Sequence, residues 1–200
     1  MKRLIKYSLP IFFGLFLGVS WTQAALTLDG EETLSYTISP SGKYLFVTTY
    51  KSPYARVSAI ATDNPNRSVV IGAYGAGKGP PQVLVSSDDK RVYVLSWPAV
   101  HDSEMQGFRH LSGLEFKEEP VQDPSVLPRN QLEEQLNVIY QLLKRKLRAP
   151  DQEILVAEEK EWLANREKVP SEGDKDEFTT KRINTLASLF LMQVAPNSVL

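Results

Sequence analysis

The chain has 200 residues, with 23 Lys and Arg against 24 Asp and Glu, a formal net charge of -1 and no cysteine. Near-neutrality argues against nucleic acid as a partner, because such binders carry a strongly basic footprint. The absence of cysteine excludes disulfides, thiolate metal sites and a lipidated-cysteine anchor, so an exported form must hold its fold by burial alone.

The first 24 residues read as a signal peptide. Lys2, Arg3 and Lys6 precede an apolar run from Leu9 through Trp21, and small residues follow up to Ala24 and Ala25. An uncleaved anchor is the alternative, but Pro10, Gly14 and Gly18 interrupt the run, which falls short of the ~20 apolar residues a spanning helix needs. Cleavage after Ala24 removes three cations and takes the net charge to -4. The expected product is periplasmic or secreted, with no stable membrane anchor.

Residues 25–117 have the texture of an antiparallel β domain. Leu34 to Ile38, then the turn Ser39-Pro40-Ser41-Gly42-Lys43, then Tyr44 to Tyr50 predict a hairpin, because Pro and Gly supply turn dihedrals that other residues resist. Val83 to Val85, Ser86-Ser87-Asp88-Asp89-Lys90 and Arg91 to Leu95 repeat the pattern, with Ile38 matching Val85 at an offset of 47 residues. Arg56 to Ala61 and Ser68 to Ile71 give two further strands around the turn Asp63-Asn64-Pro65-Asn66. Four strands per unit at this period resemble a β-propeller blade, whose repeat is roughly 40 to 50 residues. Two units cannot close a ring of about 4 to 8 blades. The expectation is a small sandwich, or a propeller remnant that shields its edges on the helices or another chain.

Gly72 to Lys78 matches the opening of a phosphate loop, but Gly79 stands where Ser or Thr belongs, and Pro80 and Pro81 deny the following helix. The segment is expected to be an inter-strand loop with Tyr74 at its tip; Tyr74 and Lys78 are candidate partner contacts. His101, with Asp102 and Glu104, and His110 lie on a polar stretch that reads as an exposed loop rather than a metal site. No nucleophile elbow or catalytic carboxylate pair can be argued, so neither catalytic residues, a cofactor nor a metal is assigned.

Residues 118–129 hold Pro120, Pro124 and Pro128 among acids and read as a linker. Beyond it, residues 130–192 are helical by period. Leu132, Leu136, Ile139, Tyr140, Leu143 and Leu147 share a face, with Asn130 and Glu133 as an expected cap worth ~1 kcal/mol. Lys144, Arg145, Lys146 and Arg148 cluster at its end, where cations complement the helix dipole. A second helix starts near Pro150 and runs to about Lys168, with Ile154, Leu155, Trp162 and Val169 on one side. Pro170 to Asp174 breaks it, and Phe178 to Met192 forms a third. The predicted fold class is α+β: the two blade-like repeats followed by a small three-helix bundle.

The order Leu136-Asn137-x-x-Tyr140, Leu155 with Trp162-Leu163-x-x-Arg166, and Thr179-x-x-Arg182-x-x-x-Leu186 resembles the helical domain of the lysozyme-inhibitor LprI-like family, over residues of about 132–189. That family's cysteines are missing here, Glu158-Glu159 replace its Ala-Gln, and Arg166-Glu167 replaces its Arg-Asp. The resemblance implies an exported, non-catalytic protein that binds lysozyme or another envelope protein. Trp162 and Arg166 sit one turn apart. They either anchor the core, Trp162 against Tyr140 or Leu143 and Arg166 on Glu133, Glu134 or Glu167, or form a partner hot spot. The alternative function is an adaptor that docks through a sheet edge.

Overall fold

In the computed structural model, the described residues are 27–28, 31–75, 79–96, 100–104, 118–123, 125, 127–128 and 131–194. They form an α+β fold of two antiparallel sheets and three helices. Strands β1 (Thr27–Leu28), β2 (Glu31–Ile38), β3 (Tyr44–Lys51), β4 (Tyr54–Ala61) and β5 (Ser68–Gly75) make sheet I in chain order. Strands β6 (Gln82–Val85), β7 (Arg91–Leu95), β8 (Val100–Glu104) and β9 (Glu118–Pro120) make sheet II, also in chain order. Helices α1 (Leu132–Lys146), α2 (Ala149–Arg166) and α3 (Glu172–Val194) follow.

Alternation along β3 divides the interior into two cores, because successive strand residues point to opposite faces. Leu45 and Val47 join Tyr36, Ile38 and Ile60 in a core completed by Leu136, Ile139, Leu143, Leu155, Ile183, Leu186 and Phe190 of the helices. Phe46 points the other way, with Val57, Ala59 and Ile71, onto Val83, Val85, Val92 and Val94 of sheet II. Sheet I is therefore the middle layer between helices and sheet II. The helical stripes meet a sheet face as well as one another, where the sequence pattern predicts burial among the helices alone.

The two hairpin turns match bond for bond at the offset of 47. Ser39 N–H donates to the Tyr44 carbonyl and Gly42 N–H to the Ser39 carbonyl; Ser86 repeats the first with Arg91, and Asp89 the second with Ser86. Ile38 faces Leu45 and Val85 faces Val92. Gly42 and Asp89 hold the equivalent left-handed position, at φ 72° and 58°, a region open to Gly and tolerated by Asp. Their surroundings explain the difference. A Cβ on Gly42 would lie 3.0 Å from Val138 Cγ1 and 3.4 Å from Leu142 Cδ1, both on α1. Asp89 instead uses its side chain: its carboxylate accepts from the Ser41 hydroxyl and, at 3.4 Å, from the Ser41 N–H, tying one turn to the other. Gly42→Ala adds left-handed strain of about 1–2 kcal/mol to that close approach, so urea unfolding of the variant is expected to show a loss of at least that size. A change below about 0.5 kcal/mol would mean that the turn does not seat on α1.

Several boundaries differ from the sequence-based expectation. The Gly72 to Gly75 stretch is not a loop: it continues β5, paired through Val57, Arg56, Ala55 and Tyr54 of β4. His101 to Glu104 is a strand, because β7 offers it a ladder from Val94 to Arg91. The proline-bearing stretch begins as β9, with Pro120 opposite His101 at the sheet margin, where a missing amide donor is tolerated. Gln131, rather than Asn130, occupies the α1 cap position and makes no side-chain cap; Asn130 lies outside the described residues. Helix α3 starts six residues early, at Glu172, because Ser171 caps it by accepting the Asp174 N–H at 3.1 Å. Ile154 is half exposed, at 51%, and is not part of the buried face of α2.

Candidate functional site

A β-bulge decides where Tyr74 goes. Val57 pairs with Gly72 and Ser58 with Val70, which leaves Ile71 as the extra residue of β5. The side-chain alternation shifts there, and Tyr74, opposite Ala55, is delivered into the core between the sheets. It is 3% exposed and its ring lies 5.7 Å from that of His101 on β8, tilted by 47°. Tyr74 is thus an inter-sheet core residue rather than a loop tip, a correction that follows from the bulge. Lys78 and His110 lie outside the described residues, as do residues 1–26 with the expected signal peptide.

Trp162 and Arg166 lie together, one turn apart on α2, and both are engaged within the helical layer. The Trp162 ring stacks on Phe178 of α3 at 5.5 Å and 11°, and the Arg166 guanidinium sits 5.8 Å over the Trp162 ring. Arg166 Nη2 pairs with Glu133 at the start of α1. Its Nε is buried without an acceptor among the described residues. Next to this cluster, Arg182 of α3 donates through Nε and Nη2 to Glu159 Oε2 at 3.0 and 2.8 Å. Burial pushes the neighbouring Glu158 carboxyl above the usual carboxylate range, with Arg182 opposing the shift. These polar groups brace three helices against one another.

The two edges of sheet I are finished differently. At one side β1 pairs with Glu31 and Glu32, and β2 makes two further contacts out of the sheet. Tyr36 N–H donates to Asn184 Oδ1 of α3 at 3.0 Å, and Thr37 Oγ1 donates to the Val83 carbonyl at 3.3 Å. At the other side β5 pairs, among the described residues, with β4 alone. Its eight residues, Ser68 to Gly75, carry no charge, and Val70 is 50% exposed. Val70 and Ala73 face the helix side of the sheet, beside the exposed Tyr54. Lysine, proline and short length are the usual protections of such an edge, and apart from the bulge none is present.

Acidic chemistry is structural where it is buried. Glu31, 4% exposed, accepts from Thr49 Oγ1 at 2.6 Å and pairs with Arg56 Nη2 at 3.0 Å. Among the described residues there is no group of three His, Asp or Glu side chains able to hold a metal ion, and no helix long and apolar enough to cross a membrane. No protein-family model, curated protein or solved structure matches the chain. The open β5 edge was missed in the sequence, although its signal was there: an eight-residue uncharged run of β-branched, small and aromatic residues.

Proposed function

We propose that the chain is an exported, non-catalytic binding protein of the cell envelope, an adaptor that takes an extended segment of another envelope protein onto the β5 edge. The observation that carries this reading is the contrast, among the described residues, between the two edges of sheet I: β2 meets β1 and Asn184 of α3, whereas from Ser68 to Ala73 the strand β5 is uncharged and has β4 as its strand neighbour. Main-chain hydrogen bonds along such an edge supply affinity, and side chains on alternate positions supply selectivity. In this reading the sheets are two blade-like repeats, and the helices, as a small LprI-like bundle, cover the face that a preceding blade would cover.

The narrower lysozyme-inhibitor reading has less support. Of the four candidate partner contacts, Tyr74 is buried, Trp162 and Arg166 are occupied by Phe178 and Glu133, and Lys78 lies outside the described residues. Edge pairing needs none of them. Lysine at Val70 and Ala73 puts two charges on the open edge without touching a core. In capture of envelope proteins on the immobilised chain, V70K/A73K is expected to lose the retained partner by tenfold or more, with an unchanged melting temperature. Full retention of the same partner by a folded V70K/A73K chain sinks the edge reading.

A further inference from the structure

Three contacts fix the directions of the helices. Glu133 at the start of α1 meets Arg166 at the end of α2, while Trp162 and Glu159 of α2 meet Phe178 and Arg182 of α3. Helices α1 and α3 therefore run parallel, with α2 antiparallel between their ends. The α1 C-terminus, the α1–α2 junction and the α3 C-terminus share one end of the layer.

That end is basic, with Lys144, Arg145, Lys146 and Arg148 within five residues. Lys144 leans over the Tyr140 ring at 5.8 Å, and Arg148 pairs with Asp151 at 3.0 Å while its side chain remains 87% exposed. Arg145 and Lys146 are exposed and make no ion pair among the described residues. Asp151 is half-buried and Glu153 exposed at that end. Two large apolar side chains, Ile154 at 51% and Met192 at 46% exposure, open to solvent at the same end. The opposite end carries Glu133 and Glu134 in the first turn of α1 and Glu172 and Asp174 in that of α3.

Helix-dipole complementarity accounts for cations in the last turn of α1. Arg148 follows the α1 C-cap Leu147 directly and pairs with Asp151, whereas Arg145 and Lys146 have no paired acid among the described residues. Cations that stay in water at the same end of the layer as exposed apolar side chains suit a surface with anionic headgroups over an apolar interior. We propose that this end of the helical layer docks reversibly on an anionic phospholipid surface. The acidic opposite end orients the molecule away from it, leaving the β5 edge free.

The test is partitioning of the chain from Ala25 to Leu200, which contains every residue of both described cores, onto two kinds of vesicle. One is pure phosphatidylcholine and the other contains phosphatidylglycerol. Binding is expected on the anionic vesicles, weakening as salt rises. R145A/K146A is expected to lower that partitioning about 25-fold, at roughly fivefold per charge. R145K/K146R is expected to keep it, and I154S/M192S to reduce it at every salt concentration. Equal partitioning onto the two vesicle types, or an R145A/K146A chain that binds as the unaltered one does, overturns the proposal.

Discussion

Replacing Arg182 by alanine is expected to destabilise the chain by about 3–5 kcal/mol, a large part of the stability of a single domain. Both members of the Glu159–Arg182 pair are largely buried, at 13% and 11% side-chain exposure, with two hydrogen bonds to one carboxylate oxygen. The substitution leaves the Glu159 carboxylate inside the helical layer without its counter-charge. The pair need not be a net source of stability for this to hold. Taking two ions out of water costs about as much as their attraction returns, whereas leaving one of them alone costs several kcal/mol. Replacing both by apolar residues of similar length, as in E159L/R182M, is accordingly expected to recover most of the loss. Urea denaturation of the single and double variants separates the two effects. An R182A chain within about 1 kcal/mol of the unaltered one would show that Glu159 reaches water once its partner is gone.

What was legible in the sequence divides along a physical line. Strands β2, β3, β6 and β7 are readable because their signals are local: β-branched and aromatic runs flanked by Ser-Pro-Ser-Gly or Ser-Ser-Asp-Asp, with a left-handed residue at the third place after the first serine. Strand β8, Val100 to Glu104, is polar beyond its first residue, and its conformation comes from the ladder β7 offers. Pairing energy between distant segments decides that element, and composition does not record it. Tyr74 was misplaced for a related reason. Glycines at 72 and 75 read as loop, but in β5 they lie beyond a bulge whose effect is to turn the tyrosine inward. No one-dimensional period contains a bulge.

At the helical site the local part was again readable. The one-turn spacing of Trp162 and Arg166 followed from periodicity, and charge narrowed the arginine's partner to Glu133, Glu134 or Glu167, of which the structure shows Glu133. Phe178, rather than Tyr140 or Leu143, is the surface beneath Trp162, a choice set by how α3 lies against α2, which helical periodicity does not record. Helix α1 starts without a side-chain cap and gains instead from Gly42 beneath Val138 and Leu142, a tertiary contact replacing a local one. The same shift from local to tertiary support explains why the helices pack on sheet I although their periodicity alone is satisfied by a bundle.

Phe190→Ala tests that shift, because Phe190 reaches both partners. It is 1% exposed on α3, in the core that joins Ile38, Leu45 and Ile60 of the sheet to Leu136 and Ile139 of α1. Truncating a buried phenylalanine removes its transfer free energy and leaves a cavity, a loss of about 3–5 kcal/mol. Where that loss is felt separates two architectures. If helices and sheet I unfold as one cooperative unit, helical circular dichroism and amide-exchange protection at Leu45 and Val47 in β3 must fall together, by the same free energy. If the helices form a unit of their own behind the 118–129 stretch, the helical signal melts early while β3 keeps its protection. The shared core predicts the first outcome. F46A then serves as the companion, since Phe46 leaves the same strand toward sheet II: it is expected to cost as much and, because β3 is shared, to lower β3 protection and the helical signal together, and a variant that melted the helices alone would contradict the placement of sheet I as the middle layer.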